Sequence, residues 1–331
     1  MRVLIVKTSS MGDVVHAAPI IDDILRHHPS AQIDWAVEEA FADIVRMHPG
    51  VRNVIPVALR RWRKALFRAQ TWREVRAVRQ RLVQAGYTHI IDCQGLIKSA
   101  WVARQARVGV TLITGLDRQS AREPLAACFY DRKVRVDRAL HAVERNRQVA
   151  AAALGYVPAG GPQFGLRVAL SSGAVMDGDE AYAVLLTNAS RASKLWPDAH
   201  WQVIEGALAQ RGLRSVLFWG SESERRDTER RAKRMQRACV AQRCTLAQLG
   251  SVLAGAQLVV GLDTGLTHLA AALEAPTLAL FCDYDPALVG LQGPGHCENL
   301  GGAAGGPGVD EVLAALPRFF EGALAPAHTR A

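Results

Sequence analysis

Short apolar runs, each closed by a polar turn and followed by residues at helical spacing, recur along this chain and confine it to one broad class of fold. Residues 2–7 (RVLIVK), 33–37, 53–58, 89–93 and 111–115 read as buried strands in the first half, and 182–187, 214–219, 257–262 and 277–282 in the second. Helical spacing follows, as at Val14, Ala18, Ile21 and Leu25, which predicts one helix over 14–25. Strands alternating with helices build a parallel, doubly wound α/β sheet, and ligands of such sheets meet the C-terminal strand edges. At 331 residues the chain exceeds what one core usually serves, so two domains are expected, 1–165 and 166–308. The segment 155–178, rich in Gly, Pro and Ser, reads as the linker and the entry to the second domain.

The stretch 257–276, QLVVGLDTGLTHLAAALEAP, concentrates chemistry. A buried strand gives way to Asp263-Thr264-Gly265, and Leu266, Leu269, Ala270 and Leu273 then mark a helix face. Unpaired N–H groups and the macrodipole make such a helix start an anion site, with His268 on its first turn. The competing reading is that Asp263 and Thr264 only cap the helix and His268 packs. Upstream, residues 188–194 (NASRASK) follow another strand, and a Lys beside hydroxyls there suits a pyrophosphate.

The first strand runs into Lys7-Thr8-Ser9-Ser10-Met11-Gly12-Asp13. This turn has neither the GxGxxG of a dinucleotide site nor a Walker loop. It offers small residues and one carboxylate, Asp13, which is either a helix-start charge or a general base over the crevice. The net charge of +9 is concentrated: residues 60, 61, 63, 64, 68, 73, 76, 79 and 81 are basic, against one acid in that span, Glu74. The part 73–81 reads as a solvated helix face. Arg60-Arg61-Trp62-Arg63-Lys64 follows a strand directly and calls for an anionic partner. No run of 18 apolar residues is present, and no apolar leader precedes the first strand, so a cytoplasmic location is expected. Six scattered cysteines without a CxxC pair are expected to be reduced and mostly buried, with no metal role.

KTSSMGDVVHAAP from residue 7, RRWRK from 60, QGLIKS from 94, the segment around Ala121, Arg122, Glu123 and Pro124, and LDTGLTHLAAAL from 262 form an ordered set. In order and spacing they resemble the bacterial lipopolysaccharide heptosyltransferases of glycosyltransferase family nine, from residue 1 to about residue 286. The resemblance implies a GT-B fold, two facing Rossmann-like domains with a cleft between them. The first would bind the acceptor Kdo2-lipid A and the second the donor ADP-L-glycero-β-D-manno-heptose.

In that family Ser190 and Lys194 stand where donor phosphates are held, Glu224 where the ribose hydroxyls are met, and Cys244 beside the adenine. Gly12, Asp263, Thr264, Gly265 and His268 complete the donor set. Ser10, Arg60, Arg61, Arg63, Lys64, Lys98, Arg122 and Arg145 form the acceptor set, because guanidinium groups pair bidentately with carboxylates and phosphates. Asp13 would be the base and Lys194 would support the leaving diphosphate, in one inverting step. No DxD-type acidic pair adjoins these loops, so neither metal nor cofactor is expected. Residues 309–324 are expected to cross back onto the first domain, and a basic first domain to rest peripherally on the anionic inner membrane. Family members carry a Gly-Pro-Thr-like turn before their Asp-Pro pair; here Asp283-Tyr284 precedes Asp285-Pro286. Three alternatives stay open. Heptosyltransferase II or another family-nine transferase differs in acceptor; a nucleotide-sugar 2-epimerase shares the architecture but needs no polybasic acceptor site. A nucleic-acid binder would explain the charge but not the acidic turns, and nucleic acid is not expected as a partner.

Overall fold

The computed structural model describes residues 1–170 and 180–320 and divides into two compact units. The first comprises Met1–Arg167, with residues 287–289 grouped to it, and the second runs from Val168 to Pro286 and from Gly290 onward. Residues 171–178 of the expected linker and 321–324 of the expected last helix lie outside the described residues.

In the first unit the strands are β1 (Arg2–Val6), β2 (Gln32–Glu38), β3 (Val51–Val57), β4 (His89–Asp92), β5 (Leu112–Leu116) and β6 (Arg132–Val134). The helices are α1 (Met11–Val15), α2 (Pro19–His27), α3 (Ala42–Arg46), α4 (Leu59–Lys64), α5 (Ala69–Gln84), α6 (Ile97–Gln105) and α7 (Ala142–Leu154). All pairings are parallel, in the order β3-β2-β1-β4-β5-β6, with Ile5 of β1 opposite Trp35 on one side and Ile91 on the other. Leu4, Val6, Ile90 and Ile113 are fully buried and pack against Trp62, Leu82, Ala100 and Tyr130. Central parallel strands covered on both faces require such unbroken aliphatic runs.

The second unit contains β7 (Tyr182–Leu186), β8 (Arg214–Leu217), β9 (Ala238–Val240), β10 (Leu258–Leu262), β11 (Thr277–Phe281) and β12 (Cys297–Gly301). Its helices are α8 (Asp198–Gln210), α9 (Glu222–Ala232), α10 (Leu246–Gly255) and α11 (Gly265–Ala272), and after the short α12 (Pro286–Val289), grouped but for Pro286 with the first unit, α13 (Val309–Ala315). The order β12-β11-β10-β7-β8-β9, read backwards, repeats the topology of the first sheet. Each sheet therefore has one switch point, β1/β4 in the first and β7/β10 in the second, where chain order reverses and ligands of open α/β sheets bind.

Several expectations need correction. The single helix over 14–25 is two, α1 and α2, because Pro19 has no N–H with which to continue the ladder and starts α2 at its first position. Residues 290–308, expected as loop, contain β12, which pairs with β11. In the described part of the expected last helix, 309–320, Val312, Ala315, Leu316 and Phe319 join Trp201, Ile204 and Leu208 of α8 in one core of the second unit. Of the six unpaired cysteines only Cys93 is buried; Cys128 is exposed and the others are half-buried. No described helix is long and apolar enough to cross a membrane.

Candidate functional site

At the β1/β4 switch point the turn after β1 and the turn after β4 are tied together. Gln94 Oε1 accepts from the Thr8 amide at 2.7 Å and the Thr8 hydroxyl at 2.8 Å. Lys98 Nζ donates to Ser9 Oγ at 2.8 Å. Buried Lys7 donates to the Cys93 carbonyl at 2.8 Å and to Asn146 Oδ1 at 3.3 Å. Asp92, fully buried at the end of β4, accepts from the Gln94 amide and the Tyr130 hydroxyl, both at 2.8 Å. Burial pushes its carboxyl up despite those bonds.

Asp13 sits in the first turn of α1. Its Oδ2 accepts from the Ser10 amide at 2.9 Å and the Ser10 hydroxyl at 2.7 Å. Burial raises the carboxyl's pKa, but the charge of Lys7, the two Ser10 bonds and the charge of Arg122 outweigh it and hold it below its ordinary value. Among the described residues Asp13 makes no ion pair. The carboxylate is thus ionised and still available. Arg122 arrives through a third segment: the Glu123 amide donates to the Gly95 carbonyl at 3.0 Å, and Glu123 Oε2 accepts from the Ile97 amide at 2.7 Å. Gly95, at φ +66°, lies so close to Ala121 that a side chain there would meet its backbone at 3.3 Å.

The basic cluster forms α4. The Arg60 amide donates to Glu38 at 3.1 Å, and its guanidinium lies 5.4 Å from the Phe41 ring centroid. Burial lowers the Lys98 pKa, and Arg60 and Arg122 add to the shift, so the three cations share one field. Arg61 is already engaged, forked on Glu39 at 3.0 and 3.1 Å and bound to Glu74 at 2.7 Å. Arg63 and Lys64 are exposed. Arg145 stands apart from this network on α7, its Nε buried without a hydrogen bond. Sequence reasoning passed over Lys7, Gln94, Asp92 and the edge-on ring pair His16–His141 at 5.7 Å. Lys7, His16 and Gln94 lie within the quoted motifs KTSSMGDVVHAAP and QGLIKS, whereas Asp92 and His141 show themselves only through the fold.

The β7/β10 switch point holds the second cluster. Lys194, closing the turn after β7, donates to the Asp263 carbonyl at 3.0 Å and forms an ion pair with Asp263 Oδ2. The His268 ring Nε2 lies 3.1 Å from Asp263 Oδ1. Burial alone would raise the Asp263 pKa; bonds from His268 and Lys194 bring it below its ordinary value. Asp263 therefore clamps a cation and a ring rather than merely capping α11. Thr264 occupies the cap position without a side-chain cap bond and lies 3.2 Å from Thr267 Oγ1. Gly265 is the first residue of α11.

The remaining donor candidates are more ordinary. Ser190 is exposed. Glu224 Oε2 accepts from the Gly220 amide at 2.7 Å and the Ser221 amide at 3.0 Å, completing a capping box on α9. Cys244 donates to the Gln242 carbonyl at 2.8 Å, and burial pushes its thiol up, so it stays protonated. In place of the family's Gly-Pro-Thr-like turn, Asp283 accepts from Ser193 at 2.6 Å and pairs with Arg191 at 3.4 Å.

Comparison with known proteins gives concordant matches. The sequence model of glycosyltransferase family 9 (heptosyltransferase) matches residues 75–297. Lipopolysaccharide heptosyltransferase 1 of Pseudomonas aeruginosa is 47% identical over 295 residues, covering 88% of this chain and 82% of that one. The solved E. coli heptosyltransferase WaaC with ADP superposes with a TM-score of 0.86 at 38% identity, covering 96% of this chain and 100% of that one. The same enzyme with ADP-2-deoxy-2-fluoro heptose gives a TM-score of 0.81 at 39% identity, covering 97% and 99%.

Proposed function

Because the chain belongs to glycosyltransferase family 9, the heptosyltransferases, and has a GT-B fold, we propose that it moves L-glycero-D-manno-heptose from ADP-L-glycero-β-D-manno-heptose to Kdo2-lipid A. The relatives named above support the donor: one is solved with ADP and again with a fluorinated ADP-heptose. The polybasic α4 supports the acceptor, whose Kdo carboxylates and phosphates suit Arg60, Arg63, Lys64, Lys98 and Arg122.

The observation that carries the mechanism is the state of Asp13: ionised, oriented by Ser10 and, among the described residues, in no ion pair. Asp13 takes the proton from the attacking Kdo hydroxyl. That oxygen bonds to the anomeric carbon from the face opposite the nucleotide as the bond to ADP breaks, so configuration inverts. General-base assistance of this kind contributes roughly 10²–10⁴-fold. The charge growing on the diphosphate is met by Lys194 and the N–H groups at the start of α11. Two of the three Lys194 ammonium protons face Asp263, which leaves one for a phosphate oxygen. His268, Thr264 and Ser190 complete that wall, Glu224 meets the ribose, and no step calls on a metal.

A lipid-borne acceptor supports peripheral residence on the cytoplasmic face of the inner membrane. Each basic residue near an anionic leaflet adds ~1 kcal/mol to that association. Incubation with donor and Kdo2-lipid A tests the whole reading. Heptosylated acceptor and ADP are expected, with the donor unchanged when acceptor is omitted; conversion of donor alone would identify an epimerase.

A further inference from the structure

The turn between α4 and α5 carries an apolar tip that the transfer mechanism leaves unused. Phe67 is fully exposed, and Leu66 and the Trp72 ring are about half exposed, at 48% and 49%. Leu66 and Phe67 are the only sequence-adjacent pair of large exposed apolar residues among the described residues. The inner face of α5 is occupied, with Val75, Val78 and Leu82 packed on the core of the first unit, so the tip cannot fold under its own helix.

Two carbonyls of this turn, those of Ala65 and Leu66, are already hydrogen-bonded. The Ala65 carbonyl accepts from the Arg68 amide at 3.0 Å and the Thr71 hydroxyl at 2.8 Å. The Leu66 carbonyl accepts from the Trp72 indole N–H at 2.8 Å. These two carbonyls need no water, which lowers the cost of bringing the tip into the headgroup region, and Trp72, its N–H engaged, presents only its ring. Around the tip, Arg63, Lys64, Arg68 and Arg73 are exposed and enter no ion pair among the described residues. An apolar tip inside a basic collar complements an anionic lipid surface, with phosphates on the collar and acyl chains on the tip.

We propose that Leu66 and Phe67 insert into the headgroup–acyl boundary of an anionic bilayer, with Trp72 at the interface and the flanking basic residues on lipid phosphates. This deepens the membrane placement proposed above and rests on it; it does not depend on Asp13 chemistry. The test is co-sedimentation of the full chain with phosphatidylcholine vesicles, with and without phosphatidylglycerol and containing no acceptor. The wild-type chain binds the phosphatidylglycerol vesicles, and the double variant Leu66→Ser, Phe67→Ser binds them about tenfold more weakly or less. Its thermal melt and its transfer to a deacylated, water-soluble Kdo acceptor stay at wild-type levels. Equal binding of the double variant and the wild type would overturn the proposal, as would wild-type binding indifferent to phosphatidylglycerol. Loss of transfer to the soluble acceptor would instead assign the tip to the acceptor site. A wild-type dimer that the double variant dissolves would assign it to a second copy of the chain.

Discussion

In the first unit the acid, Asp13, follows β1 and a cation, Lys98, follows its neighbour β4; in the second the cation, Lys194, follows β7 and the acid, Asp263, follows β10. The topology is the same and the charges are exchanged. Their partners differ as well. Lys98 donates to the Ser9 hydroxyl, and Asp13 is held by Ser10, so neither is neutralised by the other. Asp263 is bound to both Lys194 and His268. An acid that carries no cation keeps its lone pairs for a substrate proton, whereas an acid that clamps two cationic or protonatable groups serves to aim them. On the proposed reading, one fold supplies a base at one switch point and an anion receptor at the other.

The sharpest way to break this contrast is to remove the two charges one at a time. Asp13→Ala should reduce transfer by roughly 10²–10⁴-fold while ADP affinity, read by calorimetry, stays put. Lys194→Ala should lower kcat/KM by roughly 10²–10³-fold and weaken ADP as well, since on the proposed reading Lys194 holds the departing diphosphate. If both variants showed the same pattern of rate and affinity, the division between the units would be lost.

Smaller effects refine it. Arg63→Ala should raise the acceptor KM by about tenfold, the value of one charge-assisted contact, and Arg61→Ala by less, because Arg61 is spent on Glu39 and Glu74. Acceptor titrations of the pair decide this. Glu224→Ala removes a capping box and should cost about 1 kcal/mol in denaturant melts. An additional fall in ADP affinity would mark the ribose contact. The least change is expected with pH. Asp13 must be ionised to accept a proton, and its pKa is lowered from 3.8, so its contribution is present above that value and is lost only as pH falls through the lowered one. The rate profile should therefore carry no Asp13 limb between about pH 5 and 7.

What could be read in advance follows from where the information lies. Strands such as Leu4–Val6 or Val259–Leu262 sit between helices, so burial on both faces wrote itself into continuous aliphatic runs. β12 did not, since Glu298 and Asn299 belong to a half-exposed strand pairing on one side only. The sequence around Val312 is amphipathic, which says that this helix buries a face but not against what; α8 is the answer only the fold provides. Asp13, Lys194 and Asp263 were legible because each lies on the connection leading out of a strand's C-terminal end. Their supports were not: Lys7 meets the Cys93 carbonyl, and Thr8 meets Gln94, across 86 positions of sequence, by strand register alone.

The most direct measurement is a side-by-side determination, on Asp13→Asn, of ADP-heptose affinity and of single-turnover transfer to Kdo2-lipid A. Donor binding at the wild-type level with transfer reduced at least a hundredfold is the predicted result. Transfer close to wild type would contradict the assignment of the base.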